Sequence, residues 1–378
     1  MKKIANYING ELRAPASNQY IDNYNPATGS VYSLIPNSGE EDVQFAIKSA
    51  REAFDSWSSL SNAKRASWLD KIANAIESRM DELALAESID NGKPLSLATS
   101  VDIPRARDNF KFYATAIMHY ASESHRTGDG IINYTLRKPV GVAACISPWN
   151  LPLYLFSWKI APALAAGNTV VAKPSEITPM TAYLLSEICV EIGLPAGVLN
   201  IVHGLGATTG NAIISSNEID LVSFTGGTST GAHIAKIVAP KFKKMSLELG
   251  GKNPNIIFDD CDFEKALKTT VHSSFENQGQ ICLCGSRILV QRGIYEKFKN
   301  AFVEQVGNMR IGNPLNEDSQ LGAIVSKPHF DNILSYIELA KSEGGKILTG
   351  GSPISLADDN KDGWFIAPTI IEGLNQQC

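Results

Sequence analysis

From Val140 onward, short apolar runs alternate with longer amphipathic stretches. VGVAACI (140–146), TVVAK (169–173), VLNIV (198–202), LVSFT (221–225) and MSLEL (245–249) are strand-length and mostly apolar. Helical stretches separate them, near 155–166, 178–191, 207–215 and 230–238. Repeated strand–helix alternation predicts an α/β fold in which a parallel sheet is covered on both faces. In such sheets ligands sit beyond the carboxyl ends of the strands. Here every strand runs into a polar or glycine-rich tip: SPWN (147–150), KPSE (173–176), HGLG (203–206), TGGTSTG (225–231) and ELGG (248–251). Five such tips suggest one rim of one site.

The flanking regions read differently. The first ~35 residues are strands and turns, with Asn9-Gly10 as a hairpin signal and NPATG (25–29) as a turn cluster. Ser38 and Glu41 form a capping box ahead of a helix with Val43, Ala46, Ile47, Ala50 and Phe54 on one face. Further helices are expected near 64–80, up to the stop signal NGKP (91–94), and over 103–120. HRTGDGIINYTLRKPVG (125–141) reads as a polar turn and an alternating strand. After Gly250 come a strand, NIIFDD (255–260), a helix over 263–275, the polar stretch NQGQICLCGSR (277–287), and another strand, RILVQ (287–291). This part reads as a second α/β unit facing the first.

Composition narrows the function. A net charge of −5 with 19% charged residues gives no electrostatic reason to expect nucleic acid or an anionic membrane as partner. MKKIANYINGELRAP has two lysines but no apolar region behind them, so no secretory signal is expected. No run approaches the ~20 apolar residues of a membrane span. The six cysteines, 145, 189, 261, 282, 284 and 378, are too sparse for a disulfide scaffold, and none has partners at metal-ligand spacing. The expectation is a soluble cytoplasmic protein with no metal site.

Each tip carries its own chemistry. TGGTSTG opens a helix after a strand, where backbone N–H groups can meet a phosphate; it is neither G-x-G-x-x-G nor a P-loop, and a plain tight turn fits equally well. Lys173 and Glu176 at a strand end can hydrogen-bond ribose hydroxyls, and an acid there favours NAD over NADP; a solvated pair is the bland alternative. Asn150 can donate to a developing oxyanion or simply close an Asx-type turn. Glu248 can act as a general base at a cleft mouth or as a capping residue. Cys282 and Cys284 flank Leu283, and in an extended segment both point to the same side. A nucleophile must be accessible and partly thiolate, whereas a lone cysteine is ordinarily a small buried hydrophobe. Position alone leaves the two open.

Taken together and in order, NPATG, PWN, KPSE, FTGGTSTG, LELGGKNP, NQGQICLCGSR and APTI resemble the NAD(P)-dependent aldehyde dehydrogenase superfamily, of the hydrolytic type, over nearly the whole chain. The resemblance implies a Rossmann-like parallel-sheet cofactor domain (1–120 and 140–249), an oligomerisation hairpin (121–139) and a second α/β catalytic domain (250–378). It implies Cys282 as nucleophile, Glu248 as water-activating base and Asn150 as oxyanion amide, with Cys284 left to packing. It places NAD, with NADP as the alternative, against Ser147, Trp149, Lys173, Ser175, Glu176, Gly206, Phe224, Thr225, Gly226, Gly227, Thr228, Gly231 and Leu249. The implied partners are a small-molecule aldehyde and a second copy or more of the chain, as a homodimer or homotetramer. CLC and DIPRARDNFKFYA (102–114) are similar to the branch acting on 2-hydroxymuconic and aminomuconic semialdehydes. Arg105 or Arg107 could pair with the carboxylate of such a substrate; both could equally be solvated helix residues.

The sequence ends at Cys378, whereas members of that family continue through an E-[IV]-F-G-P motif. A second unit lacking those strands is expected to leave an unpaired edge. The alternative function is therefore a non-catalytic or inactive truncated protein on the same scaffold, keeping only nucleotide or partner binding. The joint presence of Cys282, Glu248 and Asn150 argues for the enzyme.

Overall fold

The computed structural model describes residues 1–375; Cys378 lies outside them. Its centre is a seven-stranded sheet. Five parallel strands run in the spatial order Lys244–Leu249, Leu221–Gly226, Val142–Ile146, Thr169–Lys173 and Leu199–Ile201. The hairpin of Asn6–Ile8 and Glu11–Arg13 extends the last of them antiparallel. Asn9 (φ 55°) and Gly10 (φ 83°) make its two-residue turn, both left-handed as a tight hairpin between twisted strands requires.

Burial on both sides explains the continuous apolar runs. Val142–Ile146 and Thr169–Lys173 are buried throughout. Their alternate residues divide between two cores. Ala143, Cys145, Val170 and Ala172 join the larger cluster, with Ile160, Leu164 and Leu185. Val142, Ala144, Ile146 and Val171 join the other, with Val43, Ala46 and Ile47 of helix Glu40–Ser58.

In sequence order the five parallel strands lie 5-4-1-2-3. The connection therefore reverses direction between Val142–Ile146 and Leu221–Gly226. A crevice opens at such a reversal, because the helices after the two strands leave toward opposite faces.

Two local expectations change. Helix Glu40–Ser58 is capped by Gly39, whose N–H donates to Asp42 Oδ2 at 3.2 Å, rather than by Ser38 and Glu41. Ser38 is buried and accepts from Asn6 Nδ2 at 2.8 Å, so tertiary packing has claimed its hydroxyl. The helix expected over 207–215 is a π turn, Gly206–Gly210, followed by one α turn, Asn211–Ser215.

Past Gly250, Pro254–Ile257 and Arg287–Val290 pair in parallel. Ile257, Leu267, Phe298, Phe302 and Val306 form a separate small core there. Residues 124–134 hold a two-stranded antiparallel ribbon, Ser124–Arg126 with Ile132–Tyr134, exposed on every strand residue. Among the described residues no helix is long and apolar enough to cross a membrane.

Candidate active site

The crevice holds a cavity of about 530 Å³. The tips of three strands line it: Ser147 and Trp149, then Lys173, Ser175 and Glu176, then Phe224 to Gly227. Gly206 closes one side, and Ile214, Ile234 and His233 add walls that no motif had marked. These are helix residues, and helical periodicity alone does not separate a cavity wall from core.

The Lys173 ammonium lies 2.9 Å from Glu176 Oε2 and also donates to the Pro174 carbonyl at 3.0 Å. Burial pushes the Glu176 carboxyl up, but Lys173 beside it and the Gly206 N–H, 3.2 Å from Oε1, hold it below the ordinary range. The acid therefore stays charged at the cavity wall. Helix Thr228–Val238 starts at Gly227 with no side-chain cap, and Gly226, Gly227, Ser229 and Thr230 line the cavity there. Its first-turn N–H groups are free to meet a phosphate. A Cβ on Gly226 would come within 2.4 Å of the Phe224 ring, and one on Gly231 within 2.6 Å of Leu249. Both positions need glycine for close approach rather than for an unusual φ. The Ser147 hydroxyl oxygen is buried at the same cavity without a partner among the described residues. A groove of this shape, with a carboxylate for ribose, bare N–H groups for phosphate and apolar walls, fits a dinucleotide.

The second half of the site is the loop 277–285. Asn277 (φ 53°), Gln278 (φ 58°) and Gly279 (φ 72°) are three consecutive left-handed residues, two of them not glycine. Such backbone persists only where its surroundings over-determine it. Here they do. Gln278 Nε2 donates to the carbonyls of Ala323 at 2.8 Å and Gly92 at 3.3 Å. Gln280 Oε1 accepts from the Val325 N–H at 3.2 Å. Asn277 Nδ2 donates to the Asn150 carbonyl at 2.9 Å. The polar NQGQ stretch is thus a strained turn fastened by its own amides.

This turn separates the two cysteines. The segment is not extended, and Cys284 N–H bonds back to the Ile281 carbonyl at 3.1 Å. Leu283 is 78% exposed and Cys284 only 7%. Burial pushes the Cys284 thiol up, as it does those of Cys145 and Cys189, both to about 12. Cys282 is half-buried, and its N–H meets no acceptor among the described residues. Asn253 clamps the turn from below, its Nδ2 lying 2.6 Å from the Cys282 carbonyl and 3.2 Å from that of Cys284. Asn253 carries no local signal of this role, although it sits in LELGGKNP.

Asn150 reaches this loop from the strand tip. Its Nδ2 donates to the Gln280 carbonyl at 2.9 Å, and its Oδ1 is buried without a partner among the described residues. Glu248 is exposed, in register with Thr225 of the neighbouring strand. Burial disfavours the charged ammonium of Lys159, which Cys145 and then the Glu248 charge partly offset. Arg107 is held by Glu77 at 2.7 and 2.9 Å and by Asp108 at 2.8 Å. Arg105 has no carboxylate partner among the described residues. Its guanidinium lies 5.5 Å over the Tyr154 ring, on the helix that follows Asn150.

Comparison with known proteins identifies the family and the fold. The profile of the aldehyde dehydrogenase family matches residues 13–378. A 2-aminomuconic semialdehyde dehydrogenase from Bos taurus is 47% identical over 377 residues, covering 99% of this chain and 77% of that protein. A 5-carboxymethyl-2-hydroxymuconate semialdehyde dehydrogenase from Escherichia coli is 40% identical, covering 100% of this chain and 80% of that protein. The solved NAD+ complex of an aldehyde dehydrogenase from Bacillus cereus superposes with a TM-score of 0.96 at 38% identity, covering 99% and 76%. With a family match across nearly its full length and the same fold in a solved relative, this chain belongs to the aldehyde dehydrogenase family.

Proposed function

We propose that the chain oxidises an aldehyde bearing a carboxylate to the corresponding acid, with NAD as hydride acceptor. The meeting of the Asn150 amide with the Cys282 turn carries this reading. It puts a half-buried thiol, a free backbone N–H and a fixed carboxamide at the carboxyl edge of a dinucleotide-type sheet.

The Cys282 sulfur attacks the aldehyde carbon, and the resulting alkoxide is held by the Asn150 amide and the Cys282 N–H. NAD, when bound against Lys173, Glu176 and the first turn of helix Thr228–Val238, supplies the acceptor for hydride. Loss of hydride leaves an acyl group on Cys282 as a thioester. Glu248 takes a proton from water, whose oxygen attacks that thioester and releases the acid and the free thiol. The semialdehyde dehydrogenases among its relatives support a substrate of that class. Arg105, unclaimed by any carboxylate beside Tyr154, is the cation for its acid group.

In this reading residues 1–120 and 140–249 hold the cofactor and 250–378 the nucleophile. The ribbon within 121–139 joins subunits, because Ile131, Ile132, Tyr134 and Leu136 are all more than half exposed. The test is NADH formation by the purified chain with a panel of aldehydes including a muconic semialdehyde, beside a Cys282→Ser control. Turnover that persists in the control overturns the mechanism.

A further inference from the structure

A fully buried ionic cluster lies beneath the oxyanion amide. The Lys93 side chain is 0% exposed, as are those of Glu87 and Asp102. Its ammonium lies 2.5 Å from Asp102 Oδ2 and 3.8 Å from Glu87 Oε1. Its third direction is the Asn150 backbone carbonyl, 3.1 Å away.

The fold goes to some length to put Lys93 there. Helix Met80–Asn91 ends at Gly92, whose left-handed φ of 84° turns the chain inward. A Cβ on Gly92 would lie 2.9 Å from the Ala323 carbonyl oxygen, so the turn admits only glycine. Asp102 comes from a π stretch, Ala98–Asp102, at the head of helix Ile103–Met118. Such turns cluster at functional sites.

A buried ion pair can often be replaced by apolar side chains without loss of stability, so a stabilising role is not its default reading. What the cluster holds is specific. The Asn150 carbonyl accepts from Lys93 on one side and from Asn277 on the other, while the Asn150 carboxamide donates to Gln280. Asn91 Nδ2 adds a bond of 2.9 Å to the adjoining Trp149 carbonyl. Asn277 and Gln280 both belong to the Cys282 turn. Lys93 therefore supplies a charged hydrogen bond to the residue whose side chain meets the Cys282 turn.

We propose that Lys93, held by Asp102 and Glu87, is a positioning residue for the oxyanion amide of Asn150. This rests on the reading of Asn150 given above. It acts through the backbone of Asn150 and touches neither aldehyde nor cofactor.

The test is a double-mutant cycle between Lys93→Met/Asp102→Asn and Asn150→Ala, read as single-turnover NADH formation per alkylatable Cys282. The paired substitution leaves no unpaired lysine or aspartate, and a solitary buried Glu87 takes up a proton. It is expected to slow hydride transfer about 10–100-fold. The rate of Cys282 alkylation by iodoacetamide should stay within about 2-fold, since the thiol's own surroundings are unchanged. In the Asn150→Ala background the same substitution should cost less than about 3-fold, because the amide it positions is gone. Asp102→Asn alone, the milder change, should shift the rate in the same direction by a smaller factor, and it carries the test if the paired variant does not fold. An equal cost with and without Asn150, or no cost in a folded variant, overturns the proposal. Failure of the oxyanion reading itself shows separately, as wild-type turnover in the Asn150→Ala single variant.

Discussion

The Asn150 carboxamide donates to the Gln280 carbonyl at 2.9 Å, joining a strand tip to a turn 130 residues later. This contact unites the two halves of the site. One half is set by the parallel sheet, the other by three consecutive left-handed residues, the first of which the Asn150 carbonyl holds. Cys282 lies two residues beyond the contact.

The two cysteines should therefore behave differently. Cys282→Ala is expected to lower turnover on the order of 10³-fold or more. Cys284→Ala should keep most activity and lose some stability, because it is a buried packing residue. Steady-state NADH formation and thermal melts of both variants check this, and equal loss of turnover in the two would remove the assignment.

Glu248 is assigned to the second half-reaction only. Glu248→Gln should still give one equivalent of NADH and then stall, with turnover reduced about 10²–10⁴-fold. Intact-mass measurement should find the acyl group on Cys282. Unchanged steady-state turnover would show that another group activates water.

The two arginines also part company. Arg105→Ala should lose about 10–100-fold in kcat/KM for a carboxylate-bearing semialdehyde, equivalent to about 1.4–2.8 kcal/mol, and little for an uncharged aldehyde. Arg107→Ala should alter neither ratio, since Glu77 and Asp108 already occupy its guanidinium. Equal losses on both substrates in the Arg105 variant would sink the carboxylate role.

His203 gives a pH signature in stability. It is 1% exposed, with neither ring nitrogen partnered among the described residues, and burial, then the nearby Lys173, pushes it down to about 3. As pH falls below the ordinary value of 6.5, the unfolded chain takes up a proton that the folded chain refuses. Stability is therefore full above that value and is lost between it and about 3. Between neutral pH and pH ~5 the loss from this one residue is about 2 kcal/mol. Glu87 and Asp90, raised by burial to about 7 and about 6, act in the opposite direction in wild type and variant alike. Urea midpoints for wild type and His203→Leu at the two pH values isolate the histidine. Parallel losses in both proteins would show that His203 is not the source.

Much of the site was legible in the chain. Doubly buried strands need unbroken apolar runs, and TVVAK and VGVAACI declared the parallel sheet and its carboxyl rim. KPSE and GGTSTG then fell on that rim. Asn9-Gly10 specified its hairpin because few residue pairs tolerate two left-handed conformations in succession. Local signals failed where a distant partner competed for a group. Ser38 looked like a helix cap, but Asn6 holds it.

The choice between Cys282 and Cys284 was likewise absent from the local pattern, since alternation would place both sulfurs on one side. Position in an ordered list of family motifs indicated Cys282. Only the folded turn supplies the physical distinction. It requires carbonyls at Gly92, Asn150 and Ala323 to hold Asn277 and Gln278 in backbone they would not adopt alone. The sequence by itself determined the sheet, its rim and the inventory of reactive groups, because those depend on periodicity and residue type. The tertiary structure decided which thiol is accessible, which arginine lacks a carboxylate partner among the described residues and what lies beneath Asn150, because each depends on a neighbour far along the chain.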